Sequence, residues 1–255
     1  TGVQTCALPI SLTCMPGVFL YIRIQMEVLY EDNHIIVVSK CPGEIVQGDK
    51  TGDEPLSETI KRYLKEKYAK PGNVYLGVVH RLDRPVSGVV LFAKTSKALP
   101  RLNKMFSTHE QVQKTYLAIV GARPPQEAGT LTHWLTRNEK SNTARAYQRE
   151  VPGSKKAILD YRLIGSSDRY FLLEVHLHTG RHHQIRCQLA AMGCPIKGDL
   201  KYGAPRSNPD GSISLHAYRL QLEHPVSHQM LDIKAPLPAD RLWQSFQPVL
   251  DKVNP

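Results

Sequence analysis

A chain of 255 residues, 41% hydrophobic and 22% charged, has the make-up of one generous globular domain, and nothing in its middle reads as a linker. Its apolar runs fall far short of the roughly 20 residues that cross a bilayer, which argues against a membrane protein. Lys and Arg outnumber Asp and Glu by 33 to 23, and residues 1–25 hold only Arg23 of that basic set, so the body of the chain is basic and suits a polyanionic partner.

Residues 1–25 mix turn formers with two cysteines and show no periodicity, whereas Met26 precedes a clean strand signal, Glu27-Val28-Leu29-Tyr30. Gly2–Ile10 resembles a translated sequencing adaptor, so residues 1–25 are expected to be a non-native leader and 26–255 the one folded domain. A secretory signal would need a basic start and a sustained apolar stretch, which this segment lacks. Ile35–Val38 reads as a buried strand ending before Pro42-Gly43, and Leu56–Tyr68 as a charged helix stopped by Pro71-Gly72. Val78-Val79 and Val89–Ala93 are short β-branched runs either side of a turn-rich loop. Ala98, Leu99, Leu102, Met105 and Phe106 recur at helical spacing after Thr95 and Ser96, with Pro100 at or near the first turn.

Tyr116–Val120 is a strand, and 137–156 is a basic, weakly periodic excursion, read as an exposed hairpin or loop. Ala157–Ile164 and Arg169–His178 pair as a hairpin around Gly165–Asp168. After Thr179-Gly180 the period changes to a helix marked by Ile185, Leu189 and Met192 and stopped by Gly193. Ser214–Leu222 and Leu231–Ile233 are further strands. Clustered strands without regular βαβ alternation give an α+β fold around a mixed, largely antiparallel central sheet with flanking helices and loops.

Three stretches carry chemistry. His80-Arg81-Leu82-Asp83-Arg84-Pro85-Val86-Ser87-Gly88 sets one carboxylate between two arginines in a tight loop. Such an anion serves as a nucleophile, a base or half of a structural ion pair. Thr179–Arg186 concentrates donors at a helix N-terminus, and Arg186, inside the helix, is either a buried partner for an anion such as Asp83 or a surface arginine. Lys114-Thr115-Tyr116 offers a ring that packs in the core or stacks on a base. Histidines 176, 178, 182 and 183 raise the question of zinc, but no established ligand spacing closes a site, and no CxxC joins Cys41, Cys187 or Cys194, so no metal is expected and reduced thiols in the cytoplasm are.

Taken together, His80-Arg81-Leu82-Asp83 with Ser87-Gly88, Lys114-Thr115-Tyr116-Leu117-Ala118, Thr179–Arg186, and Pro195–Asp199 with Tyr202-Gly203 resemble, in order and separation, the RluA family of RNA pseudouridine synthases. The resemblance spans about residues 27–235. It implies an active-site cleft across the sheet, isomerisation of uridine to pseudouridine in structured ribosomal or transfer RNA, and no cofactor; a cytoplasmic monomer with no obligate protein partner is expected beside it. It makes Asp83 the catalytic aspartate, Arg186 its salt-bridge partner and Tyr116 the ring on the target base, with a further part in proton removal. Arg81 fills the space left by the flipped nucleotide, and Leu82, Lys114, Arg181, His183 and Ile185 join it as RNA-binding positions.

Two departures stand out. Val86 takes the place of a common threonine, and with the domain expected to begin at Met26 no room is expected for the small RNA-binding domain that often precedes it. The basic residues Arg137, Lys140, Arg145, Arg149, Lys155 and Lys156 are then a supplementary RNA contact or a solvated loop. The rival function is a non-catalytic RNA-binding or RNA-folding protein on the same fold.

Overall fold

The computed structural model describes residues 26–108 and 111–253. The expected leader, 1–25, lies outside them. Eleven strands form one sheet. They are β1 (Glu27–Glu31), β2 (Ile35–Lys40), β3 (Gly77–Val78), β4 (Ser87–Ala93), β5 (Val112–Val120), β6 (Ala128–Asn138), β7 (Thr143–Tyr147), β8 (Lys155–Ser166), β9 (Phe171–Leu177), β10 (Leu215–Glu223) and β11 (Met230–Lys234). The main order is β1-β2-β4-β10-β5-β9-β8-β6-β7, with β3 pairing β4 and β11 pairing β10. Every pairing is antiparallel except β4 with β10, as the mixed, largely antiparallel expectation requires.

The helices are α1 (Leu56–Lys67), α2 (Ala98–Thr108), α3 (Gln184–Ala191), α4 (Arg241–Ser245) and α5 (Gln247–Val253), with a 3-10 turn at Leu200–Tyr202. Strand alternation divides the core. Ile36 and Val38 of β2 face a cluster with Ile60 and Leu64 of α1, while Ile35 and Val37 face Leu102 and Phe106 of α2. The two helices therefore cover opposite faces, and β2 and β4, buried on both, can be apolar throughout. The 137–156 excursion holds the end of β6, all of β7 and the start of β8, at a sheet edge, and its six basic side chains are all exposed. β6 itself and the helices α4 and α5 are additions to the sequence-based expectation. None of the helices among the described residues is long and apolar enough to cross a membrane.

The parallel seam sets the site. Ala217 of β10 lies opposite Gly88 on one side and Tyr116 on the other, so one residue links the loop before β4 to β5. Gly88 has φ +114°, and a Cβ there would stand 2.2 Å from the Ala217 carbonyl oxygen. Only glycine fits.

Candidate active site

Asp83 lies in the loop entering β4, and the backbone of that loop is tied down on all sides. The Asp83 carbonyl accepts the Val86 N–H (3.0 Å), the Pro85 carbonyl accepts Ile213 N–H (3.1 Å), and the Arg84 carbonyl accepts Gly43 N–H (2.8 Å). Lys40, buried at the end of β2, donates through Nζ to the carbonyls of Cys41 (2.9 Å), Arg84 (3.1 Å) and Val86 (2.7 Å). Burial lowers its pKa to about 8. Val86, in the place of the common threonine, packs in the apolar cluster with Leu82, Tyr116 and Ile185, so the loop is fixed without a hydroxyl there.

The arginines that flank Asp83 in sequence do not serve it. Arg84 turns away to Asp53 Oδ2 (2.6 Å) and Thr51 Oγ1 (2.8 Å), and Arg81 is exposed at the cleft wall. The cation beside Asp83 comes from 103 residues away: Arg186 NH1 donates to Asp83 Oδ2 at 3.0 Å. Arg186 is buried and is also gripped by Asp199, with Nε to Oδ2 at 2.7 Å and NH2 to Oδ1 at 2.8 Å. One guanidinium thus serves two carboxylates, and Asp199, at 1% exposure, is the buried anchor. The expected Asp83–Arg186 pair is present as the weaker half of a triad.

The turn that delivers Arg186 satisfies its own polar groups. Gln184 Oε1 accepts from Thr179 Oγ1 (2.8 Å) and from the Arg181 N–H (2.9 Å), and its Nε2 donates to the Ile158 carbonyl (3.0 Å). His183, the N-cap of α3, takes the left-handed conformation, φ 51°, which a residue with a side chain adopts only when its surroundings hold it there. Its Nε2 lies 3.1 Å from Arg186 NH1 and 3.4 Å from Asp83 Oδ2. Burial, opposed by the Asp83 charge, lowers its pKa to about 3, so the ring is neutral at pH 7. His182 stacks on it, ring centroids 3.8 Å apart, and its buried Nε2 has no hydrogen-bond partner among the described residues.

A cleft of about 610 Å³ gathers these pieces. Asp83, Tyr116, Arg186, Arg81, Leu82, Lys114, Arg181, His183 and Ile185 all line it, with His80, Phe106, Arg137 and His182. Tyr116 is buried, and that burial, with the Asp83 charge adding to it, pushes its phenol above the ordinary range. It is a protonated ring, suited to packing on a base; a phenolate acting as a base is disfavoured. His80 stacks on Phe106 at 4.8 Å and accepts the Leu91 N–H at 3.0 Å, and Lys114 Nζ stands 5.7 Å from the same ring. Burial lowers the Lys114 pKa to about 8.

Of the histidines that raised the zinc question, His176 meets the buried Glu174 and His178 meets Asp160 on the surface. Asp83, His182 and His183 do bring three ligand atoms within 4.8 Å of one another, but the Arg186 guanidinium already supplies the cation at that carboxylate. Sequence reasoning missed Lys40 and left Asp199 without a role. A lysine closing the apolar run Ile35–Val38 was the available signal for the first, and the position of Asp199 within the shared motif for the second.

The family model described as RNA pseudouridylate synthase matches residues 34–191. An uncharacterised RNA pseudouridine synthase of Bacillus subtilis is 31% identical over 85% of this chain and 70% of its own length. The tRNA pseudouridine synthase C of Pectobacterium carotovorum is 31% identical over 94% and 66%, and the ribosomal large subunit pseudouridine synthase D of Zymomonas mobilis is 30% identical over 85% and 71%. Among solved structures, human RNA Pseudouridylate Synthase Domain Containing 4 superposes with a TM-score of 0.71 at 23% identity, covering 88% of this chain and 93% of that one, a likeness of fold.

Proposed function

The chain belongs to the RNA pseudouridylate synthase family, of the RluA type, and on that premise we propose that Asp83 performs the isomerisation on a uridine extruded into the cleft. The enzyme converts uridine to pseudouridine in RNA: the glycosidic bond breaks, the uracil turns, and carbon 5 rejoins the sugar. A stacked base cannot turn, so the nucleotide leaves the helix first, at a cost of about a few kcal/mol.

The observation that carries the reading is Asp83 Oδ2 held at 3.0 Å by Arg186, in a cleft floored by Tyr116. Attack on the sugar, attack on the uracil ring and removal of a sugar proton all require this carboxylate ionised and fixed. Arg186 orients it, Tyr116 stacks on the uracil, and exposed Arg81 enters the gap in the RNA stack. The phosphates run along Lys114, Arg181, Arg137 and the exposed basic hairpin of β6 and β7, and Leu82 and Ile185 supply the apolar wall. The substrate is a ribosomal or transfer RNA. Residues 26–255 act as one catalytic unit, in a monomer without an obligate partner; the thiols Cys41, Cys187 and Cys194, unpaired among the described residues, fit the cytoplasm.

Asp83→Asn tests this. Incubated with uridine-labelled ribosomal and transfer RNA, the wild type yields pseudouridine by nucleoside analysis, whereas the variant yields none and keeps most of its RNA affinity, which phosphate contacts supply. An active variant overturns the assignment of Asp83, and an inactive wild type that binds RNA favours the non-catalytic alternative.

A further inference from the structure

The hairpin at the sheet edge has two faces, and the cleft uses one of them. Side chains alternate along a strand: Leu135 of β6 and Ala144 of β7 point inward and pack with Ala157 of β8 and Cys187 of α3, and Arg137, on the same face as Leu135, lines the cleft. Trp134 and Tyr147 point the other way. They lie opposite one another in the β6–β7 register, and Lys156 of β8 stands opposite Trp134 on its other side. Both rings are half-buried, and neither joins an apolar cluster of the core among the described residues. The helices that cover this face, α4 and α5, sit at the far end of β8, where Phe246 and Val249 lie on Gly165, roughly 30 Å along the strand from Lys156.

Cations accompany the rings. The Arg145 guanidinium carbon is 5.4 Å from the centroid of Tyr147, and Lys156 Nζ is 6.0 Å from that of Trp134; both of these basic side chains are exposed. Thr132, Thr136 and Ile158, their neighbours on this face, carry no charge. A flat ring offers a stacking surface to any base, and an adjacent cation offers a counter-charge to its phosphate. A pairing of ring and cation reads no base edge, so it tolerates any sequence. It suits a single strand, because a duplex keeps the faces of its bases within its own stack.

We propose that Trp134 and Tyr147 form a stacking platform for unpaired nucleotides of the substrate RNA, with Arg145 and Lys156 turning from the rings to the flanking phosphates. The inference deepens the reading of the hairpin as an RNA contact and rests on it. β7 is the last strand of the sheet, so an RNA strand that leaves the cleft past Arg137 crosses this one edge and lays its bases on the platform. The extruded uridine and its unpaired flank are then held on opposite faces of the same hairpin.

Trp134 and Trp243 are the two tryptophans of the chain, and Trp243 is 4% exposed, so stacking is read as quenching of the Trp134 emission. The full chain is titrated with single-stranded oligouridylate and with a blunt RNA duplex over a range of salt, as wild type, Trp134→Thr, Tyr147→Thr, Trp134→Phe, Lys156→Ala and Asp83→Asn. Oligouridylate quenches the wild type and Asp83→Asn, and the duplex does not. Trp134→Thr loses the quenching. Each threonine variant, which keeps a residue suited to a strand, binds oligouridylate about fivefold or more weakly with the slope of log K against log salt unchanged, whereas Lys156→Ala lowers that slope by about 0.7. Trp134→Phe keeps a ring and binds more tightly than Trp134→Thr; equal weakness of the two overturns stacking as the cause. Threonine variants of native affinity, or a duplex that quenches as strongly as the single strand, overturn the proposal. If the ring variants bind natively while Lys156→Ala lowers the slope, the platform alone fails, and if neither changes binding the reading of the hairpin as an RNA contact fails with it.

Discussion

Replacing either of the two carboxylates on Arg186 should separate stability from chemistry. Asp199 makes two bonds to the guanidinium, at 2.7 and 2.8 Å, from a side chain 1% exposed, whereas Asp83 makes one, at 3.0 Å, from a side chain 29% exposed. Removing one partner of a buried ion pair costs about 3–5 kcal/mol. Asp199→Asn keeps the shape and one acceptor, and Arg186 still has Asp83 as counter-charge, so the loss is expected at the low end, about 3 kcal/mol. At roughly 2–4 °C per kcal/mol for a chain of this size, Tm falls by about 6–12 °C. Asp83→Asn breaks a single, partly solvated bond and costs about 1 kcal/mol or less. Activity follows the reverse order: the Asp83 variant makes no pseudouridine, and the Asp199 variant retains measurable turnover below its Tm. Urea and thermal unfolding of both proteins, with nucleoside analysis, check this. An Asp83 variant less stable than the Asp199 variant would refute the claim that Asp199 is what anchors Arg186.

Glu31 accepts hydrogen bonds from Lys67, Lys94, Tyr68 and Tyr63 and ties α1 to β1; burial works upward on its pKa, but these donors outweigh it and hold the group at about 2. The folded value lies below the unfolded one, so the stabilisation is present above about pH 4.3 and is lost as pH falls toward 2. The difference in unfolding free energy between wild type and Glu31→Gln should shrink over that window, and a flat difference would exclude the linkage. Gly88→Ala forces a Cβ to within 2.2 Å of the Ala217 carbonyl at a strained φ; overpacking and strain predict a loss of about 2–6 kcal/mol, read as soluble yield and urea midpoint, whereas native stability would mean that the β4–β10 seam can open. Combined Lys140→Ala, Arg145→Ala and Arg149→Ala should weaken RNA binding and reduce the slope of log K against log salt by about 0.7–0.9 for each phosphate that the hairpin no longer neutralises. An unchanged slope would leave the hairpin a solvated edge.

What could be read in the sequence was local or carried by motif. The β-branched runs of β2 and β4 and the period of α2 follow from side chains that bury against their own element's surroundings. Gly193 stops α3 as expected, its N–H returning to the Ala190 carbonyl. β6 escaped because only His133 and Leu135 of it are buried, and Thr130, Thr132, His133 and Trp134 stand in place of an apolar run, so no alternation stood out. α4 is short and announced mainly by Asp240, whose carboxylate accepts from the N–H groups of Leu242 and Trp243. At the site, resemblance singled out Asp83, Tyr116 and Arg186, which line one cleft, and it paired Asp83 with Arg186 where adjacency in sequence pointed to its neighbours. Arg81 and Arg84 flank Asp83 along the chain and leave it in space, while Arg186 arrives by tertiary folding. Lys40 was invisible for the same reason, since its acceptors on Arg84 and Val86 lie 44 and 46 residues away.

The place of β10 in the sheet bears on when the enzyme becomes an enzyme. β4 and β5 are made well before β10, yet neither pairs with the other; β10, residues 215–223, must slot between them before the Asp83 loop and Tyr116 become neighbours. At ribosomal rates the wait from β5 to β10 is on the order of 5–20 s. Throughout it two apolar strand edges stand open, and the emerging polypeptide has no assembled cleft with which to act on an RNA. Catalytic competence waits until β10 has been made, and a chain cut short before β10 is a folding liability as well as an inactive product.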